Sequence, residues 1–267
     1  SLASPRMAGS AHRRRCAPIR LLPVATKLVT RDSSRTANNR AVHSTVFRKV
    51  LMSVTGLFLV LFLLMHMFGN LKLLIPNVGL QEFDEYSHFL RTFLYPMLPE
   101  RFFLMLFRGV LLLAAVVHIE AAVRLTFRDY DARMGMGRYL KQRYLAGSFA
   151  ARTMIWSGVI IILGVIFHLL QFTTQTITVG YTGTIEPHMR VILGFQQWWL
   201  VLAYAIFVGA VCLHIYHGFY SAFCTLGARV GAFSEKVIRV CSWIVCLLVF
   251  FGFMASPLAI FFGLVTA

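Results

Sequence analysis

The chain has 267 residues, of which 58% are hydrophobic and only 13% charged, yet its formal net charge is +16. Soluble domains draw about a quarter of their residues from the charged types, so an ordinary soluble domain is excluded. Disorder is excluded by the apolar content, and a nucleic-acid binder by the long uncharged runs between basic clusters. What remains is an all-α membrane protein that keeps its positive charge in the loops.

Residues 1–45 form a basic N-terminal extension, with nine Lys/Arg against a single acid, Asp32. Two readings fit it: a mitochondrial transit peptide, or, preferred here, a cytoplasmic tail lying beside an anionic leaflet. Residues 46–267 form the membrane domain. Five segments within it reach the roughly 20 residues that a hydrocarbon core requires: 47–69, 102–126, 152–174, 195–223 and 239–264. Between the first two, residues 79–92 alternate acids with Phe83, Phe89 and Leu90, which predicts a short interfacial helix. Trp198 and Trp199 suit an interfacial belt, and Pro257 is expected to kink the fifth span. The five cysteines (Cys16, Cys212, Cys224, Cys241, Cys246) form no C-x-x-C pair, which argues against a zinc site and against covalent haem attachment.

The basic residues divide unevenly over these spans. The tail with Arg48 and Lys49, together with the loops 124–152 and 224–239, carries 21 Lys/Arg, whereas the opposite face carries four: Lys72, Arg91, Arg101 and Arg190. Arg108 falls inside the second span. The positive-inside rule then places the N-terminus in the cytoplasm and the C-terminus outside.

Ionisable groups inside membrane spans are costly, which makes them functional candidates. Histidine occurs in four of the spans, as His66, His118, His168 and the pair His214/His217. Each of His66, His118, His168 and His214 lies about 24–29 Å along its helix from the entry end at 1.5 Å per residue. Alternating helix direction then puts His66 and His168 near the outer face and His118 and His214 near the inner one. Two bis-imidazole haems, stacked across a four-helix bundle, account for that layout.

A repeat supports it. Thr55-Gly56 precedes His66 as Ser157-Gly158 precedes His168, with the histidine ten residues beyond the glycine each time. His118-Ile119-Glu120-Ala121-Ala122 parallels His214-Ile215-Tyr216-His217-Gly218, which favours His214 over His217 as the ligand. His217 is then free to face a propionate or the boundary. Met65 and Met67 offer His/Met ligation as a lesser alternative, and the blander reading makes all these histidines hydrogen-bonding core residues. His12, His43, His88 and His188 lie outside the spans and are expected to be solvated. Arg108 is either a partner for propionate or quinone or an arginine snorkelling outward. Glu120 is expected to pair with Arg124 one turn on.

The runs S53-V-T-G-L-F-L-V-L-F-L-L-M-H66-M-F-G-N70 and H214-I-Y-H-G-F-Y-S-A-F223 resemble the cytochrome b membrane anchor of bacterial complex II, in its single-chain, five-helix, dihaem form. The resemblance covers roughly residues 45–265; the long basic tail is outside the usual pattern. It implies a succinate dehydrogenase or fumarate reductase of the bacterial plasma membrane, active in the tricarboxylic acid cycle. It also implies two haems b, the outer on His66 and His168 and the inner on His118 and His214. The implied partners are a flavoprotein carrying FAD, an iron–sulfur subunit and a membrane quinone, with menaquinone preferred. The succinate site would belong to the flavoprotein. Relatives use an acidic residue between the first two spans for quinone proton chemistry, for which Glu82 and Glu85 are the candidates. A pocket at the start of the first span would instead use Lys49, Ser53 and Thr55. The remaining alternatives are the dihaem anchor of a hydrogenase or formate dehydrogenase, and a haem-free scaffold or transporter.

Overall fold

A computed structural model describes residues 44–134, 153–183 and 185–266, all within one compact unit. The tail up to residue 43 and the loop 135–152, which hold 13 of the 26 Lys/Arg, lie outside the described residues.

Among the described residues the chain is 80% helical with no strands, and five helices are long and apolar enough to span a membrane. They are α1 (Thr45–Leu71), α3 (Phe102–Met134), α4 (Met154–His168, which reaches span length only with the helical turn Leu169–Thr173), α6 (Trp198–Thr225) and α7 (Ala232–Phe261). Two shorter helices, α2 (Gly79–Thr92) and α5 (Pro187–Phe195), link consecutive spans. A short helix is therefore present at the expected 79–92.

Local chemistry accounts for the helix limits. The Ser44 hydroxyl accepts from the Phe47 amide at 3.0 Å and opens α1. Proline begins α5, where its missing N–H costs nothing. Gly227, at φ +85°, turns the chain after α6 into a conformation that side-chain-bearing residues resist. At the start of α7 the Ser234 hydroxyl accepts from the Gly231 amide at 3.0 Å. Glu235 there bridges Arg229 at 2.6 Å and Arg239 at 2.8 Å.

These contacts correct the expected spans. The fourth begins at Trp198 rather than 195, because Phe195 ends the separate helix α5. The fifth begins at Ala232, seven residues before the expected 239, so Lys236 and Arg239 ride on the helix. Hydropathy alone misses this start, because charged side chains extend a helix readily once it leaves the apolar layer. For the same reason Arg124 and Arg128 lie on α3, not in a loop. The third span is α-helical only to His168 and continues as a π turn, Leu169–Thr173.

Helix α6 is the hub: α1, α4, α5 and α7 all pack on it, while α3 packs on α1 and α2. The core joins Leu200, Val208 and Ile215 of α6 to Val249, Met254 and Ile260 of α7. Pro257 is buried in α7, and beside it the Ser256 hydroxyl donates to the Asn70 carbonyl of α1 at 3.1 Å. Trp198 and Trp199 are exposed at the start of α6, as a belt position requires.

Candidate functional site

The four span histidines meet in two pairs. His66 of α1 faces His168 of α4 with ring centroids 5.8 Å apart and planes at 85°. His118 of α3 faces His214 of α6 at 6.3 Å and 61°. On α1, Gly56 lies against His118, and His66 follows ten residues later. On α4, Gly158 lies against His214, and His168 follows ten residues later. Ten residues of helix advance about 15 Å, so the pairs stand about that far apart along the bundle.

The repeat has a physical basis. The Thr55 hydroxyl donates to the Leu51 carbonyl at 2.8 Å and lies 3.3 Å from His118 Nδ1. That nitrogen is also 3.0 Å from the Met52 carbonyl, which can only accept, so His118 carries its proton on Nδ1. Ser157 repeats the arrangement one hairpin later: its hydroxyl donates to the Met154 carbonyl at 2.9 Å and stands 3.2 Å from His214 Nδ1. The glycines match as well. A Cβ on Gly56 would stand 3.0 Å from His118 Cε1, and one on Gly158 would stand 3.9 Å from His214 Cε1. Each hydroxyl–glycine step therefore serves the histidine of a neighbouring span, in the pair to which its own helix's histidine does not belong.

His168 Nδ1 lies 3.2 Å from the Tyr204 hydroxyl, which donates to Gln171 Oε1 at 3.0 Å. The phenolic proton is thus spent, and Nδ1–H of His168 donates to the phenol. In three of the four histidines the Nε2 lone pair is left free to ligate, with the ring held by its other nitrogen. His66 is held by aromatic contact, with Phe62 stacked at 5.5 Å and Phe253 at 5.7 Å.

This donor set fits haem. An iron between two imidazoles, at about 2.0 Å per bond, puts the ring centres roughly 6 Å apart once the distance from nitrogen to ring centre is added. Among the described residues no three His, Cys, Asp or Glu side chains converge on one point. Facing imidazoles in twos are too few for a closed zinc site, and they suit a group that brings its own equatorial donors.

The other candidates fall elsewhere. Met65 is exposed, and Met67 is buried against Gly252 of α7, so neither methionine joins a pair. His217 is half-buried one turn beyond His214. Arg108 is exposed and makes no ion pair among the described residues; by helix rise it is level with His66 and His168. Glu120 pairs with Arg124.

Of the quinone candidates, Glu82 is bound to Lys72 at 2.8 Å and Glu85 accepts from Gln81 at 2.6 Å. Ser53 is buried and spends its hydroxyl on the Lys49 carbonyl at 2.8 Å, while the Lys49 side chain is exposed. Thr55 is bound up with His118. His188, expected to be solvated, is instead half-buried. Its Nδ1 lies 2.6 Å from Asp84 Oδ2, and its amide donates to Asp84 Oδ1 at 3.1 Å. A carboxylate from α2 thus closes the open N-terminus of α5, where amides and helix dipole favour negative charge.

Sequence reasoning missed Tyr204, Gln171 and the Asp84–His188 contact. Gln171 did carry a signal, as the one amide side chain between Met154 and Phe172. Compared with known proteins, the chain matches no family model, no curated protein and no solved structure.

Proposed function

We propose that this chain is the dihaem cytochrome b membrane subunit of a succinate:quinone oxidoreductase, carrying electrons between an iron–sulfur subunit and membrane quinone. One observation carries the reading: two facing histidine pairs, at the spacing of a bis-imidazole iron, about 15 Å apart along one bundle. His66 and His168 would hold one haem b, and His118 and His214 the other. Bound there, haem supplies one-electron transfer at two depths in the bilayer.

The protein's part is to hold the ligands. Thr55, the Met52 carbonyl and Ser157 fix the tautomers of the second pair, and Tyr204 fixes that of His168. The half-buried rings lie within apolar spans, which limits water at the ligating nitrogens. Of the basic sequence candidates, His217, Arg108 and the exposed Lys49 are left for propionates or quinone; Glu82 and Glu85 first have to give up Lys72 and Gln81.

The charge distribution supports a cytoplasmic N-terminus with the C-terminus outside, and the family resemblance implies the bacterial plasma membrane. The basic face then offers a docking surface for the flavoprotein and iron–sulfur subunits. In that orientation His118/His214 is the inner pair and His66/His168 the outer. An electron passing outward gains about 2.3 kcal/mol per 100 mV of membrane potential, which suits reduction of a low-potential quinone such as menaquinone.

The test is a reduced-minus-oxidised spectrum with haem counted per chain, for the unaltered protein and for His66→Ala and His214→Ala. Two b-type haems are expected, falling to one in each variant. No b-type band, or a single haem in the unaltered chain, would refute the reading. Co-purification of a succinate-oxidising flavoprotein separates complex II from hydrogenase and formate dehydrogenase anchors.

A further inference from the structure

The two histidine pairs are anchored differently. In the His118–His214 pair both rings lean on groups of a neighbouring span, a backbone carbonyl with a threonine on one side and a serine on the other. In the other pair, His66 has no acceptor for its Nδ1 among the described residues. His168 leans on a phenol that itself leans on an amide.

The local fold builds that relay. Helix α4 ends at His168 and widens into the π turn Leu169–Thr173, a distortion that recurs where a side chain must be re-aimed. The turn carries Gln171, three residues beyond the histidine, to a position with no solvent exposure. Helix α5 closes over it: a Cβ on Gly194 would stand 3.3 Å from Gln171 Nε2. Tyr204 is wedged between Phe195, at 5.0 Å between centroids, and Phe207, at 6.1 Å. A tyrosine needed only to fill this space would have no use for its hydroxyl, and burying the Gln171 amide is costly: its carbonyl is met by Tyr204, while its Nε2 has no hydrogen-bond partner among the described residues.

We propose that Tyr204 and Gln171 are positioning residues for His168. They hold its imidazole as the Nδ1–H tautomer with Nε2 turned toward His66, and they lower the reduction potential of the haem this pair binds. The inference rests on the dihaem reading. A hydrogen bond from Nδ1–H pushes electron density into the ring, making it a stronger donor that favours the more positive, oxidised iron. Gln171 acts through Tyr204: by taking the phenolic proton it leaves the phenolic oxygen as an acceptor.

The experiment is an optical redox titration of the purified haem-loaded chain, with haem content measured alongside. Tyr204→Phe keeps the ring and removes the hydroxyl; Gln171→Leu removes the second link and serves should the first variant misfold. Tyr204→Phe is expected to retain both haems and to shift one of the two midpoints upward, leaving the other in place. Gln171→Leu should shift the same midpoint the same way by less, and the double variant no further than Tyr204→Phe alone. Ser157→Ala should shift the other midpoint. Unmoved midpoints in both variants, equal movement of both waves, or additive shifts in the double variant would overturn the proposal. An unaltered chain with no b-type wave would instead overturn the dihaem reading itself, so the two failures are distinguishable.

Discussion

Gly56 and Gly158 occupy equivalent places in the repeat, yet the structure separates them sharply. A methyl group at 56 would sit 3.0 Å from His118 Cε1, inside the roughly 3.5–4.0 Å of an ordinary carbon contact. The ring must then retreat by about half an ångström, against a tautomer fixed by Met52 and Thr55. Overpacking of this kind costs about 1–3 kcal/mol, which at about 1.4 kcal/mol per tenfold is roughly a 5- to 100-fold loss of ligand affinity. At Gly158 the same methyl would meet His214 Cε1 at 3.9 Å, an ordinary contact. There the substitution should cost nothing and return about 0.5–1 kcal/mol of helix propensity. Gly56→Ala and Gly158→Ala can be compared by haem per chain and by thermal unfolding in one detergent. The expected outcome is selective haem loss and a lower Tm in the first, and neither in the second. Equal behaviour of the two would refute the packing argument, whichever direction it took.

Other substitutions separate holding a ligand from being one. Ser157→Ala should leave His214 in place but unanchored, weakening haem retention by about 10- to 100-fold, the usual cost of losing such a partner; haem content on dilution measures it. Asp84→Ala removes the carboxylate that joins α2 to α5. Half-exposed charged hydrogen bonds of this kind are worth about 1 kcal/mol, so amide exchange over residues 174–197 should quicken while both haems stay. Loss of haem in Asp84→Ala would mean that the loop helices bear on the ligands directly.

The five spans and the four histidines were legible because each rests on a one-dimensional signal, a long apolar run or an ionisable residue within it. His66 and His168 lie in runs with few other polar groups, so their depth and matched spacing stood out. The partnership of Thr55 with His118 was half visible: the Thr-Gly and Ser-Gly steps marked a repeat, but sequence tied each to the histidine on its own helix. The structure shows that each serves a histidine on another, because a step ten residues before one histidine lies level with the other pair. Tyr204 could not be singled out, since an aromatic in an apolar helix packs equally well with its hydroxyl engaged or idle. The α7 start at Ala232 and the Asp84–His188 contact stayed hidden for a related reason. Both depend on charged groups whose partners are set by how helices meet, and hydropathy carries no record of that.

The position of α6 at the hub bears on how the molecule comes together in time. It is the fourth of five spans to leave the ribosome, yet α1, α4, α5 and α7 all pack on it. Before α6 is inserted, α1 and α3 can pack on each other, whereas α4 lacks the helix on which it packs. Until α6 arrives, His118 has no facing partner, and His168 has no phenol to hold it. Neither complete pair, with the groups that hold it, exists before the fourth span is inserted, so on the dihaem proposal haem capture would follow insertion of α6.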